Sequence, residues 1–196
     1  MKNGLTFYKP MMYVAHYNDG GTIDTENVVA IGPARFTSDG IELDLSPRTY
    51  EDPTPAGTFT YNTGVLDAHT ASGTIKFSTM KELAQLAGGT IGADTTHGRI
   101  DYGSNTSCPA IKDAAVVIVD VCDAENTYKM VKIDHADVVL FTDSTTIGGS
   151  DPFAVPFNVY AHPDNSSANR PAIQIGTEET GKVFDPTTWT IKNKGE

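Results

Sequence analysis

Five histidines, two cysteines and 25 carboxylates are the side chains of this 196-residue sequence with chemistry to offer. Their spacing decides whether they offer it. His16, His69, His97, His135 and His162 fall in no HExxH or comparable metal-ligand pattern. Asp134-His135-Ala136-Asp137 has the donor types for a cation, but it follows a hairpin pattern and reads as a charged turn between two strands. The glycine-rich Gly88-Gly89-Thr90-Ile91-Gly92 follows a helix pattern. A phosphate cradle would precede the helix and carry Gly-Lys-Ser/Thr. No GxSxG elbow is present for a nucleophilic serine. Two carboxylates facing each other would suit glycoside hydrolysis, yet among 25 acidic residues such proximity is expected by chance. Cys108 and Cys122 lack CxxC spacing, so a disulfide between them stays open, and a cytosolic site of synthesis favours two free thiols. No catalytic, cofactor-binding or metal-binding residue is assigned, and the chain is expected to act without catalysis and without a cofactor.

The elements that would position any site are strands. Eighteen glycines and eleven prolines punctuate the chain about every ten residues, which favours short strands and turns over long helices. Ile41-Glu42-Leu43-Asp44-Leu45 alternates apolar and acidic residues, the period-two pattern of a strand with one wet face. Gly73–Phe77 repeats that pattern, and further strands are expected at Leu5–Tyr8, Met11–His16, Asn27–Ile31, Asp137–Phe141, Pro156–His162 and Pro171–Ile175. The most apolar run, Ala114–Cys122, predicts a central strand buried on both faces, and Asp123–Asn126 a turn into a second strand over Thr127–Ile133. One helix is expected over about 79–87. Thr79 and Glu82 form a capping box, Met80, Leu83, Leu86 and Ala87 share a face, and Gly88 stops it. A helix this short must pack on a sheet.

Two segments stand outside this pattern. Ser46–Gly64 carries Pro47, Pro53, Pro55, Gly57 and Gly64 and reads as a long projecting loop or hairpin, because proline cannot donate to a sheet ladder. Its aromatics Tyr50, Phe59 and Tyr61 are candidates for contact with another subunit. The tail from about 177 to 196 reads as a final strand or an arm, and its Trp189, the single tryptophan, is a fourth contact candidate. The expected fold is mainly β: a β-sandwich or partly closed barrel in one domain over 1–196, with one packed helix, a projecting loop over 46–64 and a C-terminal arm.

The net charge of −11 argues against sequence-specific DNA binding, while leaving DNA free to pass without adhering. No run approaches the roughly 20 apolar residues that span a bilayer, so no membrane partner is expected. In layout, Val29–Ala34, Gly40–Pro47 leading into the proline-rich projection, the helix 79–87 and Val155–Asp164 before a late isoleucine-rich strand together resemble the major tail tube proteins of long-tailed bacteriophages with non-contractile tails. That resemblance implies a structural virion protein, assembled in the host cytoplasm. Six copies would form a ring, and stacked rings would make the tube that conducts DNA, with tail-tip or baseplate and tape-measure proteins as further partners. It also makes Glu42 and Asp44 candidates to face the lumen, the outer, solvent side being the alternative. Other readings are a capsid decoration or tail-terminator protein, and a carbohydrate-binding β-sandwich module.

Overall fold

A computed structural model describes residues 7, 9–44, 47–55, 57–66, 70–77, 79–87, 89–94, 97–99, 110–120, 128–143, 154–162, 173–178, 182–193 and 195. Strands dominate it. In chain order they are β1 (Pro10–His16), β2 (Val29–Ile31), β3 (Phe36–Leu43), β4 (Pro47–Thr54), β5 (Gly57–Leu66) and β6 (Ala71–Lys76). After the helix α1 (Met80–Ala87) come β7 (Thr90–Ile91), β8 (Gly98–Arg99), β9 (Ala110–Asp120), β10 (Tyr128–Leu140), β11 (Ala154–Ala161), β12 (Ile173–Glu178), β13 (Lys182–Asp185) and β14 (Thr190–Asn193). Eight of them make one sheet in the order β2-β1-β9-β10-β11-β6-β3, with β12 also on β10. The sheet curls into a half-barrel, as expected of a partly closed barrel with one helix. The curl brings β3 back towards the start of β1, where a Cβ on Gly40 would lie 3.6 Å from the Phe7 carbonyl oxygen.

Hydrophobic alternation explains the curl's contents. Met12 and Val14 of β1, Val116 and Ile118 of β9, Val131 and Ile133 of β10, and Val155, Phe157 and Val159 of β11 line the concave face and form the main core. Leu83 and Leu86 of α1 close that core, fully buried. Burying such side chains contributes about 1.5–3 kcal/mol each relative to exposure. Ala114 to Asp120 of β9 are buried without exception, so the most apolar run is the central strand, paired to β1 on one side and β10 on the other.

Two expectations are corrected by this packing. Met80 is 43% exposed, and the buried face of α1 is Leu83, Ala84 and Leu86. The expected capping bond is present, Thr79 Oγ1 accepting from the Glu82 N–H at 3.3 Å, and the Glu82 carboxylate also pairs with Arg35 at 2.9 Å. Asp134–Asp137 is no turn: β10 runs thirteen residues through it, and the extra polar residues are absorbed as a register shift between Ile133 and Ala136 opposite β9. Along β10's other side, β11 and β12 follow each other on one line, Ala161 opposite Ala136 and Ile173 opposite Ile133.

The C-terminal segment also departs from an arm. β13 and β14 pair as a hairpin whose Phe184 and Trp189 pack on the convex face against Ala115, Val117, Val119 and Met130. Trp189 is 7% exposed and meets Phe184 edge-on, ring centroids 5.2 Å apart. Asp185 fixes the turn: its carboxylate accepts from the Thr187 N–H at 2.9 Å and Thr187 Oγ1 at 2.7 Å, and pairs with Lys192 Nζ at 2.7 Å. Those partners, Lys192 first, hold the Asp185 carboxyl well below the ordinary carboxylate pKa range. Trp189 is therefore removed from the contact candidates, because its own chain already covers it. The strand expected at Leu5–Tyr8, the turn Asp123–Asn126, and Gly88, Cys108 and Cys122 lie outside the described residues, Phe7 excepted.

Candidate assembly surface

Among the described residues β4 and β5 pair only with each other. The segment read as a projecting loop or hairpin is a hairpin, closed by Thr54 opposite Gly57, with Thr54 Oγ1 donating to the Gly57 carbonyl at 2.8 Å. Gly57 holds φ +136°, a region open to glycine and strained for other residues. Pro47 and Pro53 are accommodated because β4 has one ladder neighbour, leaving its outer edge free of any donor requirement.

Register sorts the hairpin's side chains. Tyr50 lies opposite Tyr61 and Asp52 opposite Phe59, so these four share one face. Thr49, Glu51 and Pro53, with Thr60 opposite Glu51 and Thr58 opposite Pro53, take the other face. One side is thus aromatic with a single carboxylate, and the other is polar. Tyr50, Phe59 and Tyr61 are 62%, 52% and 54% exposed. A two-stranded hairpin alone in water is marginal at best and is normally stabilised by packing one face. Here the packable face meets solvent. Aromatic side chains bury roughly 150–250 Å² each when covered, so this face has apolar area to offer a partner.

Glu42 and Asp44 sit on or just after β3, which leads into this hairpin. Ile41 and Leu43 turn into the core, so the two carboxylates take the convex, solvent side of the sheet. Glu42 is exposed and Asp44 half-buried, and the Asp44 N–H donates to the Thr70 carbonyl at 3.0 Å. The acidic pair and the aromatic face follow one another along the chain, whereas Trp189 belongs to a separate cluster on β1, β9 and β10.

One polar network was not readable as a unit, because its members come from four places in the chain. At the irregular seam between β9 and β10, Asp113 has φ +53° and its N–H donates to Asp137 Oδ1 at 3.0 Å. His135 Nδ1 lies 2.6 Å from Asp113 Oδ1, and His162 Nε2 lies 3.0 Å from Asp137 Oδ1. Tyr17 stacks on His135 at 4.7 Å and donates to the Asp134 carbonyl. Burial pushes the Asp137 carboxyl up, but the bonds from His162 and the Asp113 N–H outweigh it and leave the group more acidic than usual. The arrangement ties strands together across the seam. Among the described residues no three His, Cys, Asp or Glu side chains converge to hold a metal ion. A small cavity of about 120 Å³ lies between β2 and α1, lined by Val29, Ile31, Ile75 and Phe77 with Arg35 and Glu82 at its polar side.

No family model, curated protein or solved structure matches the chain. The aromatic face of the β4–β5 hairpin is the feature a functional reading has to explain.

Proposed function

We propose that this chain is a structural subunit of a bacteriophage tail tube, and that it acts by assembling into stacked six-membered rings through which DNA passes. The observation that carries the proposal is the β4–β5 hairpin, whose aromatic face is left in water by its own subunit. Such a face is a liability in a monomer and an anchor in a polymer. In the tube it packs on the neighbouring ring, and the ordering of the hairpin is offset by the area that contact buries. Tail-tip or baseplate and tape-measure proteins are the further partners, and the virion tail is where the assembled protein resides.

The acidic balance of the chain fits the same role. Glu42 and Asp44 project from the sheet face opposite the core, and a lumen lined with carboxylates repels phosphate, so DNA slides without adhering. The test is negative-stain electron microscopy of the purified protein after concentration, alone and with tail-tip complex. Hollow filaments are expected. Filaments should be absent when Tyr50, Phe59 and Tyr61 are all replaced by serine. A parent protein that forms no filament under any of these conditions overturns the proposal.

A further inference from the structure

Among the described residues the eight-stranded sheet has three open edges, and two are guarded. β2 is only three residues long. β3 is broken by a register shift between Phe36 and Ile41, with Gly40 at φ +67°. Short edges and bulges are devices that prevent one sheet from pairing with another. The third edge is the outer side of β12, and it has neither device. β12 runs six residues in unbroken register against β10, from Ile173 opposite Ile133 to Glu178 opposite Tyr128. Its Gln174, Ile175 and Gly176 are all exposed, and Ile175 is 44% exposed. The sequence Ile-Gln-Ile-Gly-Thr has no charge and no proline until Glu178.

We infer that the outer edge of β12 is a strand-pairing surface whose partner is β12 of a second copy, joined antiparallel across a two-fold axis. The geometry allows few registers. A two-fold axis perpendicular to the sheet keeps concave sides together, so residues facing each other must belong to the same face. Ile173 and Ile175 lie on the concave side, opposite the core residues Ile133 and Val131. Pairing centred on Ile175 places that side chain against its own mate and covers both exposed isoleucines. Gln174 then lies opposite Gly176 of the second copy, where a Cβ would meet nothing within 4 Å and the longer side chain has room. In that register position 178 falls beyond its mate's Ile173, so the two copies' acidic positions lie at opposite ends of the paired stretch, which matters for a chain of charge −11. Such an isologous contact is closed: it yields a dimer and no polymer. It therefore describes a soluble resting form and stands independently of the ring reading, which uses the hairpin.

Sedimentation and register-specific cross-linking test it. The purified parent is expected to sediment as a dimer, and the Tyr50→Ser/Tyr61→Ser variant likewise. In a chain with Cys108 and Cys122 replaced by serine, Ile175→Cys should oxidise to a covalent dimer, because facing Cβ atoms on paired strands lie about 4.5–5.5 Å apart. Gln174→Cys should not, since its own mate is displaced by two residues, about 7 Å along the strand. Ile175→Asp, which sets like charges face to face and removes the apolar contact, should weaken the dimer on the order of 100-fold without changing the circular dichroism spectrum. A parent that stays monomeric at high concentration overturns the inference. So does cross-linking through Gln174→Cys as readily as through Ile175→Cys, or an Ile175→Asp variant that remains a dimer. Should the cysteine-free background fail to fold, sedimentation of the parent and of Ile175→Asp decides.

Discussion

Replacing Tyr61 by serine separates a contact made within the subunit from one made between subunits. Tyr61 is 54% exposed, faces Tyr50 across the hairpin, and lies on the face where Phe59 is also exposed. A tyrosine has roughly 200 Å² to bury, so about 100 Å² remains for a partner to cover. At about 25 cal/mol per Å² that is about 2–3 kcal/mol for each contact formed in the assembly. In a growing polymer the critical concentration equals the dissociation constant of the end contact, so Tyr61→Ser should raise it roughly 30- to 150-fold. The isolated subunit should hardly respond. A half-exposed side chain on a hairpin with water on both sides gives up little on truncation, so the melting temperature should move by no more than a degree or two. Pelleting of filaments over a concentration series gives the first quantity and calorimetry of the unassembled protein the second. An unchanged critical concentration refutes the reasoning. A melting temperature that falls by many degrees also refutes it, because Tyr61 would then be packing against its own subunit.

Trp189→Ala should cost the fold about 3 kcal/mol by denaturant unfolding, as the C-terminal hairpin would lose its largest buried side chain. Trp189→Phe should cost under about 1.5 kcal/mol, since Trp189 Nε1 is buried without a hydrogen-bond partner and the substitution removes that donor. Asp185 is more acidic folded than unfolded. The stability it contributes is therefore present above the unfolded carboxylate range near pH 4 and lost as pH falls towards the folded value. Denaturant midpoints should decline on acidification below about pH 4.5, and Asp185→Asn should flatten that decline. Gly98→Ala should destabilise by about 1–3 kcal/mol, because a Cβ there would lie 2.6 Å from the Met80 carbonyl oxygen and 2.7 Å from Ala84 Cβ. Hydrogen exchange should then report faster opening of α1.

What was legible from the residues alone followed the strength of local patterning. Ala114–Asp120 is apolar at nearly every position, and only a strand covered on both sides satisfies that. Ile41 and Leu43 against Glu42 and Asp44 fixed inside and outside correctly, because a period of two admits only one buried face. The prolines of 46–64 excluded a central strand but not a hairpin with one free edge, so the segment's pairing was left open. The aromatic face was present in the sequence as Tyr50-x-Asp52 and Phe59-x-Tyr61, but it becomes a face only once the turn sets the register. Asp134–Asp137 looked like a turn because charge clusters usually mark one; the bulge keeps the strand running, and its polar side chains go to partners far along the chain, His135 to Asp113, 22 residues away, and Asp137 to His162, 25 residues away (162 − 137). Trp189 was misplaced for a related reason. A β-prone tail carries no local sign of which sheet face it will cover, and only the uncovered apolar side of β1 and β9 supplies that information.

The way β11 and β12 share one side of β10 gives the chain a place where length is free to vary. Two residues of β10 separate Ala136 from Ile133, while eleven residues of chain separate their partners Ala161 and Ile173. Strand pairing constrains where that excursion leaves and returns, and leaves its length open. Doubling such a connection adds only about 0.6 kcal/mol of closure entropy. A foreign peptide inserted after His162 and before Ile173 should thus leave the half-barrel intact, and in the proposed assembly of many copies it would recur at regular intervals along the length.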